Sequence, residues 1–385
     1  MLCRSTIFAL AIGAIAVSAA VRPAEGSPED SPVAVDPQSG SDDDGEGKEE
    51  KKKKKKKNSG WVVLPGAFYT TEKGSNISSS LIYYFRPGEA EDRPSRLKFS
   101  ANLSTRLEGE FNIIPTLWLD RDRLQITSNN KFSYRTQRYY DIGNNTTQAD
   151  AEDFLRTRIT SRTEVIRTVM PSFFVGAFYQ LRQMTIEEAE SGGLIEALDR
   201  IETRLVSGLG IAFRYDTRDN VFAPYRGTLI TLDAGVYHTV LGSKYNFAAT
   251  TLRASYFLRT YKTQVLAFDS GIDLRVGDVP FDQLAQAGGK RLLRGMRLGR
   301  FRDNHYIAAQ VEYRLPLFWR VGFAAFTGVG RVAENIEDFR LQDLKYSLGT
   351  GLRFTVDKLE RIHARADFAI SNDDLGIYLK LLEAF

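Results

Sequence analysis

The feature that most constrains this chain is an alternation of apolar and polar residues with a period of two, repeated from Trp61 to the C-terminus. Ile307, Ala309, Val311, Tyr313, Leu315 and Leu317 form one apolar row, while Gln310, Glu312 and Arg314 occupy the other. The same pattern places Ile230, Leu232, Ala234 and Val236 opposite Thr231, Asp233 and Gly235, and Leu266, Phe268, Ile272 and Leu274 opposite Asp269, Asp273 and Arg275. Near the end, Tyr346, Leu348, Leu352 and Phe354 alternate with Ser347, Gly349, Gly351 and Arg353, and Ala364, Ala366, Phe368 and Ile370 with His363, Arg365 and Asp367. Side chains on a β-strand point alternately to its two faces, so each stretch predicts a strand between unlike surroundings. Alternation alone fits both a soluble sandwich with an apolar inside and a membrane barrel with an apolar outside.

The N-terminus favours the barrel. Arg4 precedes an apolar run from Thr6 to Ala16, too short for the roughly 20 residues of a membrane-spanning helix, and Val17-Ser18-Ala19 supplies small residues for a signal peptidase. We expect a signal peptide over 1–19, cleaved near Ala19/Ala20. Cys3 is the only cysteine and would leave with it, which excludes disulfides and cysteine-bound metal from the mature chain. No later segment has the ~18 consecutive apolar residues of a transmembrane helix. Tryptophans near strand ends, Trp61, Trp118 and Trp319, add to the case for a membrane barrel.

Residues 20–60 lack periodicity and are rich in Pro, Ser, Gly and charge, which predicts a disordered periplasmic linker. Its charges are segregated: Asp42 to Asp44 open an acidic stretch and Lys51 to Lys57 is an unbroken basic run. The run reads as a solvated linker or as an electrostatic contact with anionic lipid or cell-wall carboxylates. It has no interleaved aromatics, so nucleic acid is not an expected partner.

From residue 61 to 385 we read an all-β fold, a closed antiparallel 16-stranded transmembrane β-barrel. The strands are placed at 62–71, 75–86, 96–107, 110–119, 123–139, 153–168, 171–185, 204–217, 227–240, 245–260, 263–276, 305–316, 320–332, 344–356, 361–370 and 376–385. With a periplasmic start, the tight turns at Val169-Met170, Tyr261-Lys262 and Leu317 to Trp319 fall on the periplasmic side, and the long connections 140–152, 186–203 and 277–304 on the outside. An even count returns Phe385 to the periplasm, so both mature termini lie there, in the outer membrane of a Gram-negative-type bacterium.

The long loop before Tyr306 contains Gly288-Gly289-Lys290-Arg291-Leu292-Leu293-Arg294-Gly295, followed by Tyr306 to Phe318 (YIAAQVEYRLPLF). This resembles the surface-antigen barrel of the BamA/TamA superfamily, in which an Arg-Gly dipeptide between the eleventh and twelfth strands folds back into the lumen; Arg294-Gly295 falls in that connection. Gly208 to Pro224 with Gly227 resembles the family's Y-D-x-R-D-x-x-x-x-P-x-x-G stretch, at Tyr215, Asp216, Arg218, Asp219, Pro224 and Gly227. Arg365-Ala366-Asp367 is similar to its R-x-D, Phe385 to its C-terminal assembly signal, and Leu64-Pro65 with Tyr69 to Gly74 (YTTEKG) to its first hairpin. The family's F-x-D-x-G appears as Phe326-Thr327-Gly328-Val329-Gly330, without the carboxylate, and periplasmic POTRA modules are not expected within the stretch of about forty residues read as linker. The resemblance implies protein insertion or translocation at the outer membrane, with outer-membrane lipid, unfolded outer-membrane proteins and periplasmic assembly factors as partners. A passive channel or structural barrel is the alternative.

A buried guanidinium needs carboxylates, and Asp269, Asp273, Glu312 and Asp367 all fall on the polar row, so one or two of them are expected to pair with Arg294. The bland alternative is a loop arginine in solvent. Arg214, Asp216, Asp233, Arg253, Arg259, Arg314, Arg353 and Arg365 read as a mixed-charge lumen lining, or as an ion-selective pore. Gly349 and Gly351, with Gly208 and Gly210, suggest strand bending or a closely packed loop. His238, His305 and His363 lie apart, with no nucleophile turn, metal motif or phosphate loop. We therefore expect no enzyme, no cofactor and no metal.

Overall fold

The computed structural model describes residues 59–385, apart from 71–73, 87–92, 107, 150, 199–202, 359–360 and 373. The expected signal peptide, nearly all of the linker with its lysine run, and part of the YTTEKG hairpin lie outside the described residues. Sixteen strands form one antiparallel sheet in sequence order. They are β1 (Ser59–Thr70), β2 (Gly74–Phe85), β3 (Ser95–Ser104), β4 (Gly109–Leu119), β5 (Leu124–Tyr139), β6 (Glu152–Met170), β7 (Phe173–Glu188), β8 (Thr203–Asp216), β9 (Gly227–Tyr237), β10 (Phe247–Tyr261) and β11 (Gln264–Gly277). Two short strands, β12 (Ala285–Ala287) and β13 (Phe301–Asp303), pair with each other inside the long connection that follows. The sheet resumes with β14 (His305–Phe318), β15 (Val321–Ala333), β16 (Lys345–Asp357), β17 (Ile362–Ser371) and β18 (Leu375–Leu381).

The alternation translates into an inverted pattern of burial. On β16, Tyr346, Leu348, Leu352 and Phe354 are exposed while Ser347 and Arg353 are buried. On β14, Ile307 is exposed while Gln310, Glu312 and Arg314 are buried, and β8 exposes Leu209 and Ile211 but buries Arg214 and Asp216. A protein surrounded by water hides its apolar row. Here the hidden row is the charged one, so the surroundings of the outer face must be apolar, as in a bilayer.

The connections are asymmetric. Those between β5 and β6, β7 and β8, and β11 and β14 are long and share one end, where the short helix α1 (Leu194–Leu198) also lies. At the opposite end β10–β11 and β14–β15 are joined by tight turns, with Lys262 and Trp319 at positive φ. The β6–β7 turn sits at Pro171-Ser172 rather than Val169-Met170, because Pro171 cannot donate to the ladder and Ser172 takes a φ of 67°. Trp61, Trp118 and Trp319 all fall at this turn end, and Trp61 and Trp319 are exposed there. Amphipathic rings at one rim mark a membrane–water interface.

Two expectations need correction. Among the described residues no hydrogen-bonded ladder joins β1 to β18, so the sheet is not closed by pairing, although the two end strands approach each other. The last strand also stops at Leu381 instead of running to Phe385. Leu382 takes a φ of 69° and donates to the His363 carbonyl, 2.7 Å away, turning the chain inward. Phe385 then stacks on Phe257 inside, 5.9 Å between ring centroids. The physical reason is charge: Glu383 is drawn to Arg353 and His363, at 2.8 Å each, and a strand that follows it inward cannot keep its place at the edge.

The outward row makes one test direct. Leu352→Arg, near the middle of β16, should destabilise the protein folded in vesicles by about 2–4 kcal/mol, the cost of a cation at the bilayer midplane. Urea titration of vesicle-folded protein measures it; an unchanged midpoint would mean that this face meets water.

Candidate functional site

The connection from β11 to β14 does not project away from the sheet. Its apolar residues Leu292, Leu293, Met296 and Phe301 are buried against Tyr306 and Ala308 of β14 and Val332 of β15. This packing carries Arg294 to the inner face, where its side chain is fully buried. Its Nη1 donates to Asp367 Oδ2 at 2.8 Å, and its Nη2 to Glu312 Oε2 at 2.5 Å and to Gln310 Oε1 at 3.1 Å. The guanidinium lies over the ring of Phe326, 3.2 Å from its centroid. Three carboxylates and three further arginines complete the group. Arg365 reaches Asp367 at 2.7 Å, Arg353 reaches Asp367 at 2.6 Å and Glu383 at 2.8 Å, and Arg314 reaches Glu312 at 2.7 Å.

Small residues make room for this arrangement. Gly295 has a φ of 96°, which suits glycine, and a Cβ there would lie 3.0 Å or less from the backbone of Ala369 and Ile370 on β17. Its N–H donates to the Tyr378 hydroxyl at 3.0 Å, and Ser347 donates to the Arg294 carbonyl. At Gly349 a Cβ would meet the Phe326 ring at 2.4 Å, so this glycine opens the slot for the ring beneath Arg294. Gly328 stands where the resembling family has a carboxylate. A Cβ there would lie 2.6 Å from the Leu292 carbonyl, so the loop backbone occupies that space and the carboxylate role passes to Glu312 and Asp367.

Of the four acids on the polar row, Glu312 and Asp367 meet Arg294 and the other two do not. Asp269 binds Arg291 through two contacts, at 2.7 and 2.8 Å, and accepts from Ser255. Asp273 pairs with Arg253 at 2.6 Å and accepts from Thr251. They lie on β11, which the loop meets through Arg291, whereas Arg294 points toward β14, β15 and β17. Arg214 pairs with Asp233 on the inner face, while Arg259 is exposed beside the β10–β11 turn. Glu383, Phe326 and Gln310 also carry the site; Phe326 heads the F-x-D-x-G-like stretch, whereas Glu383 and Gln310 belong to no motif. Gln310 was readable from the alternation, but Glu383 was hidden by counting it into a strand.

The stretch from Tyr215 to Gly227 folds as a self-satisfied turn. Asp216 holds Arg218 with two bonds at 2.9 and 2.8 Å. Asp219 accepts from the N–H groups of Tyr225 and Arg226 and pairs with Arg361 at 2.7 Å, tying the β8–β9 turn to the β16–β17 turn across the barrel end. Pro224 lines a cavity of about 220 Å³ beside Tyr225, and Gly227 enters β9 at a φ of 113°. Burial works to raise the Asp219 carboxyl, but the Arg361 and backbone hydrogen bonds outweigh it and hold it below the ordinary range. At Glu383, likewise, burial opposes the charge, and Arg353 and Arg314 overcome it and keep the carboxyl well below its usual value.

The histidines serve locally. His238 accepts from Val240 N–H, His305 from Arg275 N–H, and His363 faces Glu383. Among the described residues no group of three metal-capable side chains occurs, and no helix is long and apolar enough to cross a membrane, which says nothing of crossing by strands.

The sheet, its inverted faces and the loop arginine define an outer-membrane-type barrel. The model of the Omp85 superfamily domain matches residues 73–373, and the chain belongs to that superfamily. Among solved structures it is similar to BamA from Haemophilus ducreyi lacking POTRA domains 1–3, with a TM-score of 0.59 and 13% identity over 83% of this chain and 69% of that one. CdiB from Acinetobacter baumannii (TM-score 0.53, 10% identity) and CdiB from Escherichia coli (0.54, 9%) each match 84% of this chain, which spans 59% and 61% of theirs. These likenesses show the fold alone. No curated protein sequence matches significantly.

Arg294→Ala should cost about 3 kcal/mol, the lower end for breaking a buried ion pair, because Glu312 and Asp367 each keep another arginine. Arg294→Lys, which keeps the charge but not the fork, should recover part of it. Denaturant titration of vesicle-folded protein reads both, and equal stability of all three would remove the pin. For Asp219 the sign follows from its lowered value: its stabilisation is present above the unfolded carboxyl's pKa of about 3.9 and lost as the pH falls through the folded one. The stability difference between wild type and Asp219→Asn should therefore hold at neutral pH and shrink below about pH 4.

Proposed function

We propose that this chain is an outer-membrane assembly barrel that inserts or translocates other proteins by parting its first and last strands. The observation that carries the reading is the seam. β1 offers twelve residues of edge and β18 only seven, no ladder joins them, and the chain after Leu381 turns inward to bind Arg353 and His363. An unpaired edge at membrane depth is costly, since lipid offers its N–H and C=O groups no partner. Such an edge is a template for an incoming β-strand. The Glu383 contacts hold the end of the chain inside, away from the β1 edge, and leave that edge free to pair with an incoming strand.

In this reading the β11–β14 connection is the inward-folded loop, pinned by Arg294 through Glu312 and Asp367, and it braces the wall beside the moving edge through Asp367 on β17 and Tyr378 on β18. Both mature termini lie in the periplasm, after removal of a signal peptide, with the charged linker as the segment that meets assembly factors. Unfolded outer-membrane proteins are the cargo and outer-membrane lipid is the solvent. The filled lumen around Arg294 weighs against a passive channel, and the scattered histidines weigh against an enzyme.

The mature chain has no cysteine in this reading, so a pair is easily introduced. Val63→Cys on β1 and Ile377→Cys on β18, both outward-facing, are joined with a reducible bifunctional maleimide. The unlinked protein in liposomes should accelerate folding of a reporter barrel, the linked one should not, and reduction should restore the rate. A linked protein that works at the unlinked rate would overturn lateral opening, and no acceleration by either form would overturn the assembly role.

A further inference from the structure

Inside the barrel, away from Arg294, a cavity of about 390 Å³ is walled by β6, β7, β9, β10, β11 and the connection that follows. Five arginines line it. Three have carboxylates: Arg162 meets Glu164 at 2.5 Å and Asp233 at 3.0 Å, Arg253 meets Asp273 at 2.6 Å, and Arg275 lies 3.8 Å from Asp273. Arg158 and Arg182 differ. Among the described residues neither has an acidic group within 4.0 Å; Arg158 donates to the Met184 sulfur at 3.3 Å and Arg182 to Gln283 Oε1 at 2.7 Å. The Nε of each is buried without an acceptor. Asp282, the remaining carboxylate in the wall, accepts from Gln283 through Oδ2 at 2.5 Å; its Oδ1 is buried without a hydrogen-bond partner, and its single charge acts on Arg158 and Arg156 from beyond contact distance, one anion among three cations.

The register brings these two cations together. Arg158 stands opposite Met184 and Thr160 opposite Arg182, so the arginines are diagonal neighbours on one face, roughly 7–8 Å apart at Cα. Arg156, two residues along the same face, is buried and has only neutral acceptors, Gln137 at 2.6 Å and Ser133 at 3.2 Å. Three guanidinium groups thus converge with neutral partners, a few strands from a cluster in which every arginine is matched to acid. Like charges in a low-dielectric lumen repel unless an anion joins them. We infer that this cavity is a binding site for a phosphoryl oxyanion, held by Arg158 and Arg182 with Arg156 behind them. A tetrahedral, multiply charged oxyanion presents several acceptors to guanidinium forks, which a chloride ion does not. The site stands independently of whether the β1–β18 seam opens.

The test is calorimetric, on the full chain folded in nonionic detergent, titrated with inorganic pyrophosphate at constant ionic strength. Wild type should bind at one saturable site, Arg158→Gln/Arg182→Gln at least tenfold more weakly, and Arg138→Gln, altered in an exposed pair with Asp153, as wild type. Without anion the double variant should melt no lower than wild type, since it loses a repulsion; a merely structural pair would melt lower. Should the double variant fail to give the heat-modifiable folded band, the single variants are read, each with an expected loss of at least threefold. Dihexanoyl phosphatidic acid is titrated in parallel, and the tighter of the two probes tells a free phosphate from a lipid headgroup. No saturable binding of either probe to wild type, or equal binding by the variants, would overturn the site.

Discussion

Lipid cannot hydrogen-bond a peptide group, and the rest of this structure depends on that constraint. It favours pairing each membrane-spanning strand with its neighbours, and the sixteen strands pair antiparallel in sequence order, with only the outer edges of β1 and β18 left without a ladder among the described residues. It also turns the usual distribution of residues inside out. Leucines and isoleucines stand on the outer face, and away from the strand ends the arginines, aspartates and glutamates gather in the interior, where most satisfy one another.

That confinement explains the loop. An interior lined with charge is stable only where cations and anions match in place, and Arg294 arrives from a connection rather than from a strand to join acids on β14 and β17. Gly295 lets the backbone touch β17, Gly349 admits the Phe326 ring, and Gly328 yields its space to Leu292. The same group of charges extends through Arg353 to Glu383, so the pinned loop and the inward-turned C-terminus share one network. Loop and C-terminal turn thereby share Asp367 and Arg353, and the unmatched arginines of β6 and β7 lie outside that network.

How much was legible in advance varies with the range of the interaction. The strand positions fell within a few residues of those observed, since a period of two is local and each strand reports its own two faces. Arg294 was marked by its Arg-Gly context, and Glu312 and Asp367 by their place on the polar row. Asp269 and Asp273 satisfied the same rule equally well. Only the tertiary course of the loop, which aims Arg291 at β11 and Arg294 at β14, β15 and β17, separated the pair that meets Arg294 from the pair that binds Arg291 and Arg253.

The sequence by itself determined an all-β chain of sixteen alternating strands with charge on one face, because alternation is written residue by residue. Alternation alone left open which face is hidden; the N-terminal signal and the tryptophans pointed to an apolar outside, and the tertiary structure buries the charged row. The sequence also led to the expectation of a closed ring ending in a strand at Phe385. The fold decided otherwise, since the pull of Arg353 and His363 on Glu383 acts between residues about 20–30 positions apart and has no trace in local periodicity.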